Sequence, residues 1–281
     1  MSGLTTYARA ALPLVPGASR LPFVAGGGGL MPDIELVREG VEMDRDHLAA
    51  YAAVCGFTLG DVVPPTYPHV LAFPLHMEVM TDGRFPFPAV GLVHIENEIE
   101  VRRPILAGEL LDLRVHPTPV EPHPKGSAFS LVSEVRAGGE LAWVGRSTML
   151  RRGRGEGEAA TPDTAAERPR FVAEWRLPGD LGRRYGGVSG DRNPIHIHSL
   201  TARAFGFPRA IAHGMWTKAR CLAALGARLP DSYTVGVAFR KPIMLPGKVA
   251  FAAATESEPW RFDVRDATRE EILHLEGKVT R

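Results

Sequence analysis

Asp191 and His196 stand five residues apart in a short run, Tyr185-Gly-Gly-Val-Ser189-Gly190-Asp191-Arg192-Asn193-Pro194-Ile195-His196. A carboxylate and an imidazole that share one water can deliver a proton and a hydroxyl in a single reaction. Histidine is suited to this because its ordinary pKa lies near neutrality. Gly190 and Pro194 predict a tight turn here rather than a helix, which lets the two side chains converge. Downstream stands Ala212-His213-Gly214-Met215. Gly214 falls where a long helix should begin. Its N–H would lack an intrahelical partner and sit at the positive end of the helix dipole, a place for a developing oxyanion. Taken singly, Asp191 and Asn193 read as turn formers and His196 as a structural histidine. The combination Gly-Asp-x-Asn-Pro-x-His is what points to chemistry.

Competing chemistries have weaker support. His196-Ile-His198 with Asp191 offers two ligand types for a metal, but no third ligand stands out in the sequence, so no metal is expected. Ser189 lacks the closing glycine of a nucleophile elbow. The run Gly26 to Gly29 lacks the Lys-Ser/Thr ending of a phosphate loop. Cys221 sits among alanines and is expected to be buried and inert. Arg183, Arg184, Arg209, Arg240, Lys241 and Lys248 are cations that could meet phosphates.

The elements that must position the pair occur twice. Asp46-His-Leu-Ala-Ala-Tyr51-Ala-Ala-Val54-Cys-Gly56 aligns with Asp180-Leu-Gly-Arg-Arg-Tyr185-Gly-Gly-Val188-Ser-Gly190, each pair 134 residues apart. Arg102-Arg103-Pro104-Ile105 aligns with Arg240-Lys241-Pro242-Ile243 at a spacing of 138. Collinear matches of this kind indicate a duplicated domain. Asp46 and Asp180 are each placed to cap a short helix, Ser199 to cap another that stops at Gly206, and a longer helix fits Gly214 to Arg228. Period-two alternation predicts strands over Val93–Val101, Leu110–His116, Ala128–Val135 and Leu141–Leu150. In the second half it predicts Tyr233–Phe239, Lys248–Thr255, Trp260–Arg265 and Ile272–Thr280. Val120 to Gly126 reads as a loop. Each half is therefore a mostly antiparallel sheet around one main helix, an α+β design. At the turn, the first half has Gly56-Phe-Thr-Leu-Gly-Asp61 and no Asn-Pro-x-His. One active site built from two halves explains the asymmetry.

The 281 residues are enough for two domains of about 140 residues each. The expected division is 1–150, a linker at 151–170 that is charged and poor in apolar residues, and 171–281. Net charge is +1, which removes bulk electrostatic capture of nucleic acid. No apolar run approaches the ~18 residues of a membrane span. The first 25 residues make a poor signal peptide, and two cysteines cannot form a disulfide framework, so a cytoplasmic location is expected.

The second-half signature, with Phe207-Pro208-Arg209-Ala210-Ile211-Ala212-His213-Gly214-Met215, resembles the MaoC-like (R)-specific enoyl-CoA hydratases, which have the hotdog fold. The first half resembles the family's degenerate domain through His94-Ile95-Glu96-Asn97 and Arg103-Pro104. The whole chain resembles double-hotdog (3R)-hydroxyacyl-thioester dehydratases. That resemblance implies Asp191 and His196 as the catalytic pair, Asn193 as the residue that orients the site, and Gly214 as the N–H donor to the thioester oxygen. Ser189, His213, Met215, Arg240 and Lys241 are the expected substrate contacts. The substrate would be an acyl-CoA or acyl carrier protein thioester, with no cofactor. The first half would shape the acyl pocket of an internal pseudo-dimer, and a homodimer is left open. Two alternatives stand beside this reading: a hotdog acyl-thioesterase, and a non-catalytic module that binds acyl thioesters.

Overall fold

In a computed structural model, residues 25–26, 29–156 and 171–281 are described, with the side chains of 171 and 172 excepted. The first 24 residues, Gly27 and Gly28 of the glycine run, and linker residues 157–170 lie outside the described residues. The first half contains β1 (Leu36–Val41), α1 (Arg45–Cys55), α2 (Tyr67–Met80), β2 (Leu92–Val101), β3 (Leu111–Pro117), β4 (Glu121–His123), β5 (Gly126–Ala137) and β6 (Glu140–Arg152). The second contains β7 (Phe171–Leu177), α3 (Leu181–Ser189), α4 (Pro194–Ile197), α5 (Ser199–Ala204), α6 (Gly214–Leu225), β8 (Tyr233–Phe239), β9 (Gly247–Ala254), β10 (Trp260–Asp266) and β11 (Leu273–Thr280).

The strands form one antiparallel sheet in the order β1-β3-β5-β6-β2-β8-β11-β10-β9-β7, with β4 paired to β5. Read outward from the β2–β8 seam, the two halves have the same order. The seam runs from Glu96 opposite Ala238 to Val101 opposite Tyr233. Glu98 pairs with Gly236, and these two are equivalent at the spacing of 138 that relates the second sequence match. A pseudo-two-fold axis therefore passes through that pair, as in an isologous dimer interface.

Helices α2 and α6 are the main helices of the two halves. α2 packs on β3 and β5. Its sequence, YPHVLAFPLHMEVM, is apolar on every side, and ten of its fourteen residues are buried. A helix with no polar face can only be an interior one. Trp216 of α6 donates its indole N–H to the Val54 carbonyl of α1 at 3.0 Å, tying the halves together. Lys218 of α6 is fully buried and donates to Asn97 O, Asn97 Oδ1 and Val235 O at 3.0, 2.6 and 3.0 Å. It thus pins both seam strands to the helix behind them, and every proton of its head has an acceptor, as burial requires.

The sheet and helices bear out the α+β design, with local corrections. Asp44, not Asp46, caps α1, accepting from the Asp46 and His47 N–H groups. Asp180 stands at the α3 cap position without a side-chain bond. His198, not Ser199, caps α5 through Nδ1, which accepts from Leu200 N at 3.1 Å. The expected loop at Val120–Gly126 contains β4. The long helix ends at Leu225, followed by a 3-10 turn to Arg228. Arg151 and Arg152, expected in the linker, still pair within β6. Both cysteines are free and buried, and burial pushes the Cys221 thiol well up. Among the described residues, no helix is long and apolar enough to cross a membrane.

Candidate active site

The site starts where α3 stops. Gly190 caps that helix at φ 75°, a left-handed conformation that glycine adopts without strain and that turns the chain sharply. The turn is then held residue by residue. Asp191 N–H donates to Ser189 Oγ at 3.2 Å, and Asn193 N–H donates to Asp191 Oδ1 at 3.1 Å. Asn193 Oδ1 accepts from Ile195 N–H at 3.4 Å. The segment beyond Asn193, expected to be a turn only, is the one-turn helix α4. Asn193 caps it and Pro194 occupies its first turn, the position where a missing N–H costs nothing. His196 therefore rides on a fixed helical turn rather than on a loop.

Two glycines of α3 let that turn approach closely. A Cβ at Gly182 would lie 1.9 Å from the His196 carbonyl oxygen, and one at Gly186 would lie 2.8 Å from the Asp191 carbonyl oxygen. Their role is to bring backbone against backbone, which the sequence alone did not signal.

The protonation of both imidazoles follows from their partners. His196 Nδ1 lies 2.8 Å from the Ile211 carbonyl, which can only accept, so Nδ1 carries the proton and Nε2 keeps its lone pair. His213 Nε2 donates to the Asp191 carbonyl at 2.9 Å. Its Nδ1 is buried with no hydrogen-bond partner among the described residues. The two rings stack at 3.8 Å, and Tyr185 lies 4.8 Å from His213. Burial lowers the His196 pKa against the opposing pull of Asp191. Burial, with His196 as neighbour, takes His213 down to about 3. Both rings are neutral at neutral pH.

Asp191, His196 and His213 each present one ligand-type atom, and these lie within 4.8 Å of one another. The sequence had set His198 beside Asp191 and His196 without expecting a metal; the structure puts His213 there instead. His198 is exposed and occupied in capping α5, while His213 supplies the third group.

His213 also precedes α6 without capping it through its side chain, so the first N–H groups of that helix, beginning at Gly214, carry no side-chain cap. Gly214 faces Phe239, whose ring atoms would be 2.9–3.1 Å from a Cβ placed there. Asp191, Asn193, His196, Gly214 and Phe239 open onto a single cavity of about 400 Å³. Ser189, His213, Met215, Arg240 and Lys241 line it too. Arg240 is an exposed partner of Glu276, with its Nε 2.8 Å from the carboxylate. The other wall comes from the first half, through Phe73, His76, Met80, His94 and Met149. The α2 contribution was missed in the sequence. Its prolines, Pro68 and Pro74, and its lack of a polar face hid the helix.

The comparisons with known proteins agree with this architecture. The model of the MaoC like domain matches residues 160–272. The chain is 36% identical over 274 residues to 3-hydroxyacyl-thioester dehydratase X of Mycobacterium tuberculosis, covering 95% of this chain and 94% of that protein. A crystal structure of that protein, HtdX, covers 88% of this chain with a TM-score of 0.77. Peroxisomal enoyl-CoA hydratase 2 of Arabidopsis thaliana is 26% identical over 182 residues, 58% of each chain. A Mycobacterium tuberculosis protein described as a double hotdog fold, 12% identical, superposes with a TM-score of 0.56 over 90% of this chain and 97% of its own. The fold is a double hotdog, and the two halves form an internal pseudo-dimer. With nearly the whole length matched at this identity, the chain belongs to the MaoC-like dehydratase family.

Proposed function

We propose that the protein hydrates trans-2-enoyl thioesters to (3R)-3-hydroxyacyl thioesters and catalyses the reverse dehydration. The observation that carries this reading is a free imidazole lone pair, His196 Nε2, and the Asp191 carboxylate beside an uncapped helix start in one cavity. The names of the relatives, a 3-hydroxyacyl-thioester dehydratase and an enoyl-CoA hydratase, point the same way.

In the hydration direction, Asp191 and His196 hold one water. Its oxygen adds to C3 as one of its protons passes to the pair, and that proton is returned to C2 on the same face. The electrons displaced toward the thioester give enolate character to its oxygen. The Gly214 N–H, fixed in place before reaction, stabilises that charge without reorganisation. Asn193 keeps Asp191 and His196 in register by bonding to the turn on both sides. Arg240 and Lys241, which line the cavity, would receive the phosphates of coenzyme A or of a carrier protein arm. The first half shapes the acyl pocket.

The test is an absorbance assay on crotonyl-, octenoyl- and longer enoyl-CoAs, with free thiol followed in parallel and the product resolved by chirality. Loss of the enoyl absorbance without thiol release, and a 3R product, is expected. Thiol release would mean a thioesterase, and binding without turnover a binding module.

A further inference from the structure

Six of the chain's ten histidines line the same cavity: His69, His76, His94, His196, His213 and His274. His196 rides on the turn with His213 stacked on it, and His274 Nδ1 bonds the Lys241 carbonyl at 3.0 Å. The other three come from the first half, which supplies none of the reacting groups. His76 is satisfied by the Ser133 hydroxyl at 2.6 Å. His69 lies between the others, 5.2 Å from His76 edge-on and 6.3 Å from His94 stacked.

His94 is different. The pairing of β2 with β6 slips between His94 and Glu96, a bulge of the kind that re-aims a side chain. Its Nε2 is buried with no hydrogen-bond partner among the described residues, and the Glu96 backbone engages the other ring nitrogen. The free nitrogen therefore presents a lone pair. Burial holds the group down to about 4, so the lone pair is available at neutral pH. The ring lies 5.1 Å from Phe239, the residue packed over Gly214. Phe73, Met80, Leu131 and Met149 give this wall an apolar stretch beside the imidazoles. An acyl tail running from Gly214 into the first half would meet these apolar side chains and, among them, the unpaired nitrogen of His94. A saturated tail would leave that acceptor unpaired.

We infer that His94 makes the first-half arm of the cavity selective for acyl thioesters that carry a hydroxyl on the tail beyond C3, the hydroxyl donating to His94 Nε2. A site built to bond a substrate hydroxyl discriminates against the analogue lacking it, because the protein group is then stranded. The inference rests on the hydratase reading and names its substrate class.

The test uses the full chain and enoyl-CoAs of one length, with a single hydroxyl moved one carbon at a time along the tail. The plain chain and the matching keto chains serve as controls. One hydroxyl position should raise kcat/KM about tenfold or more over the plain chain, the size expected for pairing one buried group. Its keto counterpart cannot donate and should not. His94→Leu should bring the hydroxyl-to-plain ratio to about one, and His94→Gln, which keeps a polar atom at similar reach, should restore part of it. If His94→Leu does not fold, the hydroxyl-to-keto contrast in the natural protein decides. Turnover of plain chains with no favoured hydroxyl position, equal preference for the keto chain, or a ratio untouched in His94→Leu would overturn the inference and leave the hydratase reading standing. No turnover of any thioester would remove both.

Discussion

The ends of α1 and α3 are the same joint put to two uses. Gly56 and Gly190, aligned in the repeat, both close their helices in the left-handed conformation, at φ 80° and 75°. Each is approached by the main helix of the opposite half. Arg220 of α6 covers Gly56 so tightly that a Cβ there would meet its guanidinium at 2.0 Å, whereas Phe73 of α2 stands 3.7 Å from the same position at Gly190. Past the first joint the chain runs through exposed Leu59 to exposed Asp61, whose carbonyl bonds Ala107. Past the second joint, three side-chain bonds fold the turn back onto the cavity. The main helices differ in parallel. α2 opens with Thr66 and Tyr67 at its cap and first position where α6 has His213 and Gly214. A duplicated frame therefore keeps its geometry in both copies, while the groups proposed to react are concentrated in one.

That contrast can be broken at several points. The largest effect is expected at the pair itself: Asp191→Asn and His196→Ala should each lower kcat by ~10²–10⁴ with the circular dichroism spectrum unchanged. Near-normal turnover in either variant would move the chemistry elsewhere. Gly214→Val should cost ~10²–10³ in kcat or more. Its side chain meets the Phe239 ring first, so part of that loss should return when Phe239→Ala is added. No recovery would place the whole loss at the oxyanion site. The pH dependence should show the same burial in both halves. His196 sits below the ordinary imidazole value, so activity should persist below pH ~6.5 and fall only as His196 takes a proton and loses its lone pair. Stability should behave alike. His76 and His213, near 3, and His94, near 4, stay neutral when folded but charge when unfolded. The unfolded state then binds more protons, so the urea midpoint should decline as pH falls from ~6.5 toward 4. A flat midpoint over that range would mean that the imidazoles are solvated. The smallest effect belongs to Asp61→Asn, which should leave kcat within a few fold, as exposed substitutions usually do. A large loss there would give the first half a part in the chemistry.

The strands and the turn that carries the proposed site were legible because each signal is local. Alternation with period two marks Tyr233–Phe239 directly, and Asp191, Asn193 and His196 lie within one short segment. The parts that were not legible depend on distant approach. Gly182 and Gly186 look like weak points of a helix until the turn is seen against them. β1, with four exposed residues in six, offers no apolar alternation to read. His94 enters the cavity through a slip in register, which depends on β6 as well as on its own strand.

The seam also governs which strand can pair with β2. Glu96, Glu98 and Glu100 project from one face of β2, opposite Ala238, Gly236 and Thr234 of β8. If a second copy of β2 took the place of β8 in the same register, Glu98 would meet Glu98 and Glu96 would meet Glu100. Like charges directly opposite are destabilising, so two copies of the first half repel one another along the edge where each must find a partner. During synthesis that edge waits unpaired until β8 emerges, and the carboxylates keep it soluble meanwhile. Fusion of the two copies in one chain thus comes with a charge pattern that favours pairing within the molecule over pairing between neighbours.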